Sequence, residues 1–317
     1  MNRGIEMTSK ETNFVSAVIY IHNVENQIAE FLSMLIFVME NNFEHSEIIC
    51  VNDASDDESV QIIKSTSKNA NSTSVSIINM SYFHGLESAM NAGVDLAIGD
   101  FVFEFDNSYC DFHQEKIMEV YKRALQGYDI VSASPNRKEK FNSEIFYKMF
   151  ELFDSRSHKM STESFRITSR RAINRINSLN RSIPYRKALY TNCGLKTDNI
   201  KYDIINTSSL QYDNKEKSYR LGLAVDSLIL FTDVGYKFSI VMTIVMMLMS
   251  IFMVIYSIII YATLNPISGW TTTILFISLV FWGLFGILTI VIKYLQLLVD
   301  LVFKRKYYNF ESIEKLN

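Results

Sequence analysis

Asp106 closes a short apolar run (101–105) and is followed by Asn107, Ser108, Tyr109, Cys110 and Asp111. An acid at the mouth of a buried strand suits a hard cation. Mg²⁺ takes oxygen ligands, typically one or two carboxylates completed by phosphate oxygens and water. A second acid, Asp53, stands two residues past the apolar stretch "EIICV" (47–51). Ser55 and Asp56 beyond it are cap candidates for a helix, and the acids Asp56 and Asp57 fit its dipole. Arg166 and Arg170 lie four apart, so on a helix or tight turn they would share a face. Guanidinium grips phosphate in a bidentate fork; an exposed surface pair is the plain alternative. Glu163 is the acid to consider as a general base if a hydroxyl must be activated. Cys110 and His113 are three apart, but two isolated ligands fall short of a tetrahedral zinc site. His22, His45, His84 and His158 have no spacing partners and read as structural or surface residues.

These residues need a frame. Residues 14–21 ("FVSAVIYI") read as a buried strand, and 25–40 carry apolar residues at helical spacing, with Ile28, Phe31, Leu32 and Leu35 on one side. Residues 47–51 are a second strand and 57–67 a helix; 75–78 are a third strand and 86–97 a helix. Residues 101–105 are a fourth strand, 113–125 a helix, and 128–133 extended again. Strands alternating with helices predict an α/β fold with a mostly parallel sheet covered on both faces. In such sheets ligands bind at the carboxyl ends of the strands, so Asp53 and Asp106 should face one crevice. No G-x-G-x-x-G follows the first strand, which argues against a dinucleotide cofactor.

The remainder is different in kind. From Phe238 to Ile292 there is no Asp, Glu, Lys, Arg or His. A bilayer crossing needs about 20 apolar residues, so the tract predicts two spans, near 238–262 and 270–292, turning at Pro266 and Gly269. Buried core helices are the alternative, and such helices rarely stay uncharged on every face for so long. The opening residues lack a signal-peptide core. Lys237 precedes the first span and Lys304, Arg305 and Lys306 follow the second, an arrangement that predicts both ends in the cytoplasm. Residues 141–153 and 218–231 gather aromatic and aliphatic side chains along one side and read as interface helices. Three scattered cysteines fit a reducing compartment. A net charge of −3 with no long basic run makes nucleic acid an unsuitable partner.

With these segments in order, the chain resembles the family-2 glycosyltransferases of the GT-A fold, and within them the membrane-anchored polyprenyl-phosphate glycosyltransferases and dolichol-phosphate mannose synthases. The residues that carry the resemblance are "VIYIHNVEN", with Tyr20 where the family has proline, "VNDASDD" (51–57), "HGLESAMNAGVDLAIGD" and "SFRITSRRAI" (164–173). The family's Arg-Asn before the glycine of the third motif falls on Tyr82 and Phe83. Its Asp-x-Asp and following Gln fall on Asp106, Ser108 and Cys110.

The resemblance implies a Rossmann-like GT-A domain over 1–217, with an interface helix near 141–155. A second interface helix would span 218–236, a transmembrane hairpin with its juxtamembrane segment 237–303, and a basic cytoplasmic tail 304–317. It implies an inverting sugar transfer from a nucleotide-sugar donor to a polyprenyl phosphate at the cytoplasmic face of the plasma membrane. Tyr20, Glu25, Asp53, Ser55 and Asp106 would line the nucleotide site, and Asp106 and Ser108 would hold Mg²⁺ or Mn²⁺. Arg166 and Arg170 would take the acceptor phosphate, with Asp106 and Glu163 catalytic. Membrane lipids are expected around the hairpin, and copies of the chain are expected to assemble through the spans. Two alternatives stand beside this reading: transfer to a hydroxyl of a lipid-linked saccharide, and a non-catalytic assembly or binding subunit on the same scaffold.

Overall fold

A computed structural model describes residues 9–136, 162–178, 186–187, 190, 193–205, 269–303 and 308–317, with scattered positions between 219 and 255. The expected alternation is present: β1 (Val15–Ile21), α1 (Glu25–Asn42), β2 (Ser46–Asn52), α2 (Ser59–Thr66), β3 (Ser74–Met80), α3 (Leu86–Leu96), β4 (Phe101–Phe105), α4 (Glu115–Leu125) and β5 (Ile130–Pro135). Three further strands complete the sheet: β6 (Phe165–Ser169), β7 (Thr197–Tyr202) and β8 (Phe310–Lys315). Two more helices are α5 (Arg170–Ser178) and α6 (Trp270–Phe303).

The eight strands form one sheet in the order β7-β5-β6-β4-β1-β2-β3-β8. The predicted parallel centre is there, as β4-β1-β2-β3. The sheet as a whole is mixed, because β6 runs antiparallel to both β4 and β5, and β8 antiparallel to β3. β1 is buried along its whole length, as its mostly Val, Ile and Ala sequence suits in a central strand covered on two sides.

The two faces carry separate cores. Phe103 and Phe105 of β4 pack with α1 and α4 through Phe31, Leu35, Ile117 and Tyr121. Val102 turns the other way, to α3, with Val18, Val51, Ala89 and Met90. Strand alternation then puts Glu104 and Asp106 on the α3 face. Gly93 lets α3 lie close on the sheet: a Cβ there would stand 2.3 Å from Val18 Cγ1 and 2.7 Å from Val51 Cγ2.

Two expectations change. Residues 166 and 170 do not share a helix face, because Arg166 is inside β6 and Arg170 opens α5. The tail expected as a basic extension instead supplies β8, paired with β3 from Ser76↔Lys315 to Met80↔Phe310. The predicted interface helix at 141–153 lies outside the described residues, as does most of 218–231. Among the described residues no helix is long and apolar enough to cross a membrane. The side chains of several α6 positions are outside that set.

Candidate active site

Strands β1 to β4 all end at one edge of the sheet, and the acids sit there. β6 runs the other way, pairing Phe165 with Phe105 and Arg166 with Glu104. That places Glu163 and Arg166 at the same edge as Asp106. Arg170 belongs to the opposite edge. Its guanidinium donates to the carbonyls of Ala97 and Gly99, just before β4 begins. The structure therefore separates the two arginines that the sequence reading joined.

Asp53 is fully buried. Its Oδ1 accepts from the amide of His84 at 2.7 Å, and its Oδ2 accepts from the amide of Gly85 at 2.8 Å and from the Tyr20 hydroxyl at 3.1 Å. Burial pushes the carboxyl above its usual range, although the His84 and Gly85 amides and Tyr20 pull it back. Asp53 thus ties the end of β2 to β1 and to the turn before α3. In that turn Gly85 has φ 83°, a backbone open to glycine. Next to Asp53, Ala54 adopts φ 51°, a left-handed conformation that an alanine side chain disfavours.

The loop beyond is laced to α1. Ser55 Oγ accepts from Asn23 N at 3.2 Å, and Glu25 Oε2 accepts from Glu58 N at 3.1 Å. Asp57, rather than Ser55 or Asp56, bonds to the start of α2, accepting from Ser59 N at 3.1 Å, and it also takes Glu25 N at 3.0 Å. Tyr20, Glu25, Asp53 and Ser55 are therefore brought together, as a scaffold around the ends of β1 and β2.

Asp106 belongs to a buried ionic cluster. Its Oδ2 accepts from Arg166 Nη2 at 2.7 Å and its Oδ1 from Arg186 Nη2 at 2.8 Å. Glu104 accepts from Nη1 of both arginines, from Thr168 Oγ1 at 2.9 Å and from the Tyr190 hydroxyl at 2.8 Å. Glu87, in the first turn of α3, accepts from Arg186 Nε at 2.8 Å, and Glu163 from Arg166 Nε at 3.0 Å. Burial alone would raise the Asp106 carboxyl, but Arg166, Arg186 and Lys187 hold it well below the usual carboxylate range. Burial and Glu104 push the Tyr190 hydroxyl well up. Arg186, Glu87, Glu104, Thr168 and Tyr190 were not picked out from the sequence. The one available signal was the oddity of Glu104 within an apolar strand, since a buried acid needs a partner.

These residues fit a divalent ion poorly as arranged. Both oxygens of the single carboxylate already accept from guanidiniums. Ser108 is buried and its Oγ has no partner among the described residues. The Cys110 thiol faces the Phe112 carbonyl at 3.4 Å. Asp111 accepts from the Tyr202 hydroxyl at 2.7 Å. Among the described residues no group of three or more His, Cys, Asp or Glu side chains is placed to hold a metal ion.

Comparison with known proteins bears on this edge. The family model for glycosyl transferase family 2 matches residues 16–185. An uncharacterized glycosyltransferase of Synechocystis is 29% identical over 196 residues, 60% of this chain and 60% of the relative. An undecaprenyl-phosphate 4-deoxy-4-formamido-L-arabinose transferase of Edwardsiella ictaluri is 32% identical over 123 residues, 38% of this chain and 37% of the relative. The chain thus matches 60% or less of the length of these relatives. Among solved structures, a mannosyltransferase of Pyrobaculum calidifontis in complex with GDP-Man and Mn²⁺ superposes with a TM-score of 0.50 at 13% identity, covering 70% of this chain and 63% of that one. Mannosyl-3-phosphoglycerate synthase of Rubrobacter xylanophilus gives 0.51 at 17%, covering 68% and 74%. At such identities the likeness is one of fold.

Proposed function

Since the chain belongs to glycosyl transferase family 2, we propose that it transfers a sugar from a nucleotide-sugar donor to a lipid-linked acceptor, with polyprenyl phosphate as the acceptor. The observation that carries the lipid half is where the apolar segment leaves and rejoins the sheet. On its N-terminal side in the chain, the Tyr219 ring lies against Gly85, where an added Cβ would meet it at 2.2 Å, and stacks edge-on with Phe83 at 6.0 Å. On its C-terminal side in the chain, Asn309 N donates to His84 Nε2 at 3.1 Å, and Asn309 O accepts from Ser81 N at 3.1 Å. Tyr219 and Asn309, which flank the uncharged tract on its two sides in the chain, therefore both abut the turn that holds Asp53.

A chain that leaves one sheet and returns to it crosses a bilayer an even number of times, which supports the two-span hairpin. Large apolar side chains exposed along α6, among them Phe281, Leu284, Phe285, Val291 and Ile292, support a lipid surrounding. The name of the Edwardsiella relative supports a polyprenyl-phosphate acceptor.

A phosphate acceptor is already ionised and can attack the sugar carbon without a protein base. A hydroxyl acceptor would need one, and Glu163, the residue available, has an oxygen committed to Arg166. No observation favours that reading or a non-catalytic subunit. The Mn²⁺ of the Pyrobaculum complex makes Mg²⁺ or Mn²⁺ the expected means of neutralising a donor diphosphate in this fold. The surroundings of Asp106 depart from that expectation.

The test is transfer of radiolabelled sugar from UDP- and GDP-sugars, supplied to the full chain in detergent with undecaprenyl phosphate. Label moving into the organic phase only when the phosphate is present is the expected result. Transfer to the free polyprenol or to a lipid-linked saccharide instead would establish the hydroxyl reading. No transfer from any nucleotide sugar to any lipid would overturn both.

A further inference from the structure

Arg166 and Arg186 bind carboxylates in matching ways. Arg166 gives Nε to Glu163, Nη1 to Glu104 and Nη2 to Asp106. Arg186 gives Nε to Glu87, Nη1 to Glu104 and Nη2 to Asp106. Two carboxylates therefore bridge the pair, and they are not equivalent. Glu104 is fully buried within β4 and is fixed by Thr168 and Tyr190 as well. Asp106 lies just past the end of β4, in a stretch without regular structure that runs to α4, and its side chain is 10% exposed. Its two oxygens accept from two different guanidiniums, the pattern a phosphate offers with two of its oxygens. Each guanidinium has five N–H donors, so other N–H groups remain once these bonds are made.

We propose that Arg166 and Arg186 form the binding site for the donor's diphosphate, that Asp106 occupies this site as a stand-in anion, and that donor binding needs no divalent cation. This rests on the sugar-transfer reading above. The pair supplies hydrogen-bond donors for a diphosphate where the fold elsewhere uses a metal ion, and a dication placed at Asp106 would have to displace both guanidiniums from its oxygens. A hydroxyl at Ser108 in place of a carboxylate, and a thiol at Cys110 in place of an amide oxygen, fit the same account. So does the charge balance. With Asp106 in place, four carboxylates face Arg166, Arg186 and the charge of Lys187, which also acts on Asp106. Once Asp106 is displaced or neutralised, three carboxylates face three cations, and the repulsion of an incoming diphosphate is relieved.

The metal-site reading and this one differ in sign at a single variant. Calorimetric binding of UDP and GDP to the full chain in detergent, in EDTA and in Mn²⁺, would be measured for the wild type, Asp106→Asn and Arg186→Lys. The expected result is binding of at least one nucleotide in EDTA. Asp106→Asn should tighten it about fivefold or more, and Arg186→Lys should weaken it about tenfold, since lysine cannot reproduce the fork. A misfolded variant cannot bind more tightly, so the gain in Asp106→Asn is not open to a folding artefact.

Binding that needs Mn²⁺ and is lost in Asp106→Asn would overturn the proposal and leave the transferase reading standing. Binding indifferent to both substitutions would also overturn it. If farnesyl phosphate, and neither nucleotide, shows the gain in Asp106→Asn, the pair serves an acceptor phosphate and the donor assignment fails. If nothing binds under any condition, this proposal and the donor half of the transferase reading fall together.

Discussion

Asp53 and Asp106 stand at the same edge of the sheet, and their surroundings drive them in opposite directions. Asp53 accepts from two backbone amides and the Tyr20 hydroxyl, and burial raises its carboxyl. Asp106 is also buried, yet two guanidiniums lower it. The consequences for stability have opposite signs. The folded state holds the Asp53 proton more tightly than the unfolded chain does. Its contribution is therefore full at low pH and declines as the pH rises from about 4, the unfolded value, through its raised folded value. For Asp106 the contribution is present above about pH 4 and is lost as the pH falls toward its depressed folded value. Urea midpoints between pH 4 and 7 test the first of these. Asp53→Asn should flatten the decline with pH, and it should cost about 2 kcal/mol at pH 5, because the amide cannot accept all three donors. An unchanged slope would mean that Asp53 is not the group that titrates. Asp53 and Asp106 were legible in the sequence because each follows an apolar run. Arg186 was not, because its partners Glu87, Glu104 and Asp106 lie 80 to 99 residues away in the chain.

At the level of elements, β1 to β4 could be read because their Val, Ile and Phe residues form short, largely buried runs. β6 was hidden by its buried polar residues. Arg166 and Thr168 alternate with Phe165 and Ile167, and the polar pair is buried too, against Glu104. β7 ("TDNIKY") and β8 ("FESIEK") are edge strands whose charged, half-exposed faces look like loop or tail in a sequence. Placing α3 required contacts no periodicity reveals. Gly93 sits where α3 crosses β1 and β2, and a methyl group there would overlap Val18 and Val51. Gly93→Ala should therefore destabilise the protein by about 1–3 kcal/mol through overpacking, outweighing the ~1 kcal/mol that alanine gains in a helix. Chemical denaturation measures the difference. A net gain in stability would mean that α3 rides further from the sheet than this packing implies.

The whole molecule is organised by a return. Residues beyond α6 come back to the sheet as β8, where Leu316 N bonds Val75 O at 2.8 Å and Asn317 Oδ1 accepts from Val75 N at 2.6 Å. Tyr308 bonds Asp95 of α3 on the way. The apolar tract is thereby bracketed between Tyr219, whose ring lies against Gly85, and Asn309, which bonds His84. Such a bracket holds a catalytic edge at the membrane surface only if the tract crosses an even number of times. With one crossing, β8 and β3 would lie on opposite sides of the bilayer and could not pair. Single cysteines at Asp56, Glu311 and Ser268 turn this into a measurement, using a membrane-impermeant thiol reagent on intact cells and on inverted vesicles. Asp56 and Glu311 are exposed. Both should react from one side, and Ser268, in the turn between the predicted spans, from the other. Glu311→Cys reacting from the side opposite Asp56→Cys would break the pairing of β8 with β3 in the membrane-bound protein. Ser268→Cys reacting from the same side as both would mean that the apolar tract enters the lipid without crossing it, leaving the sheet edge at the surface by a re-entrant or interfacial route.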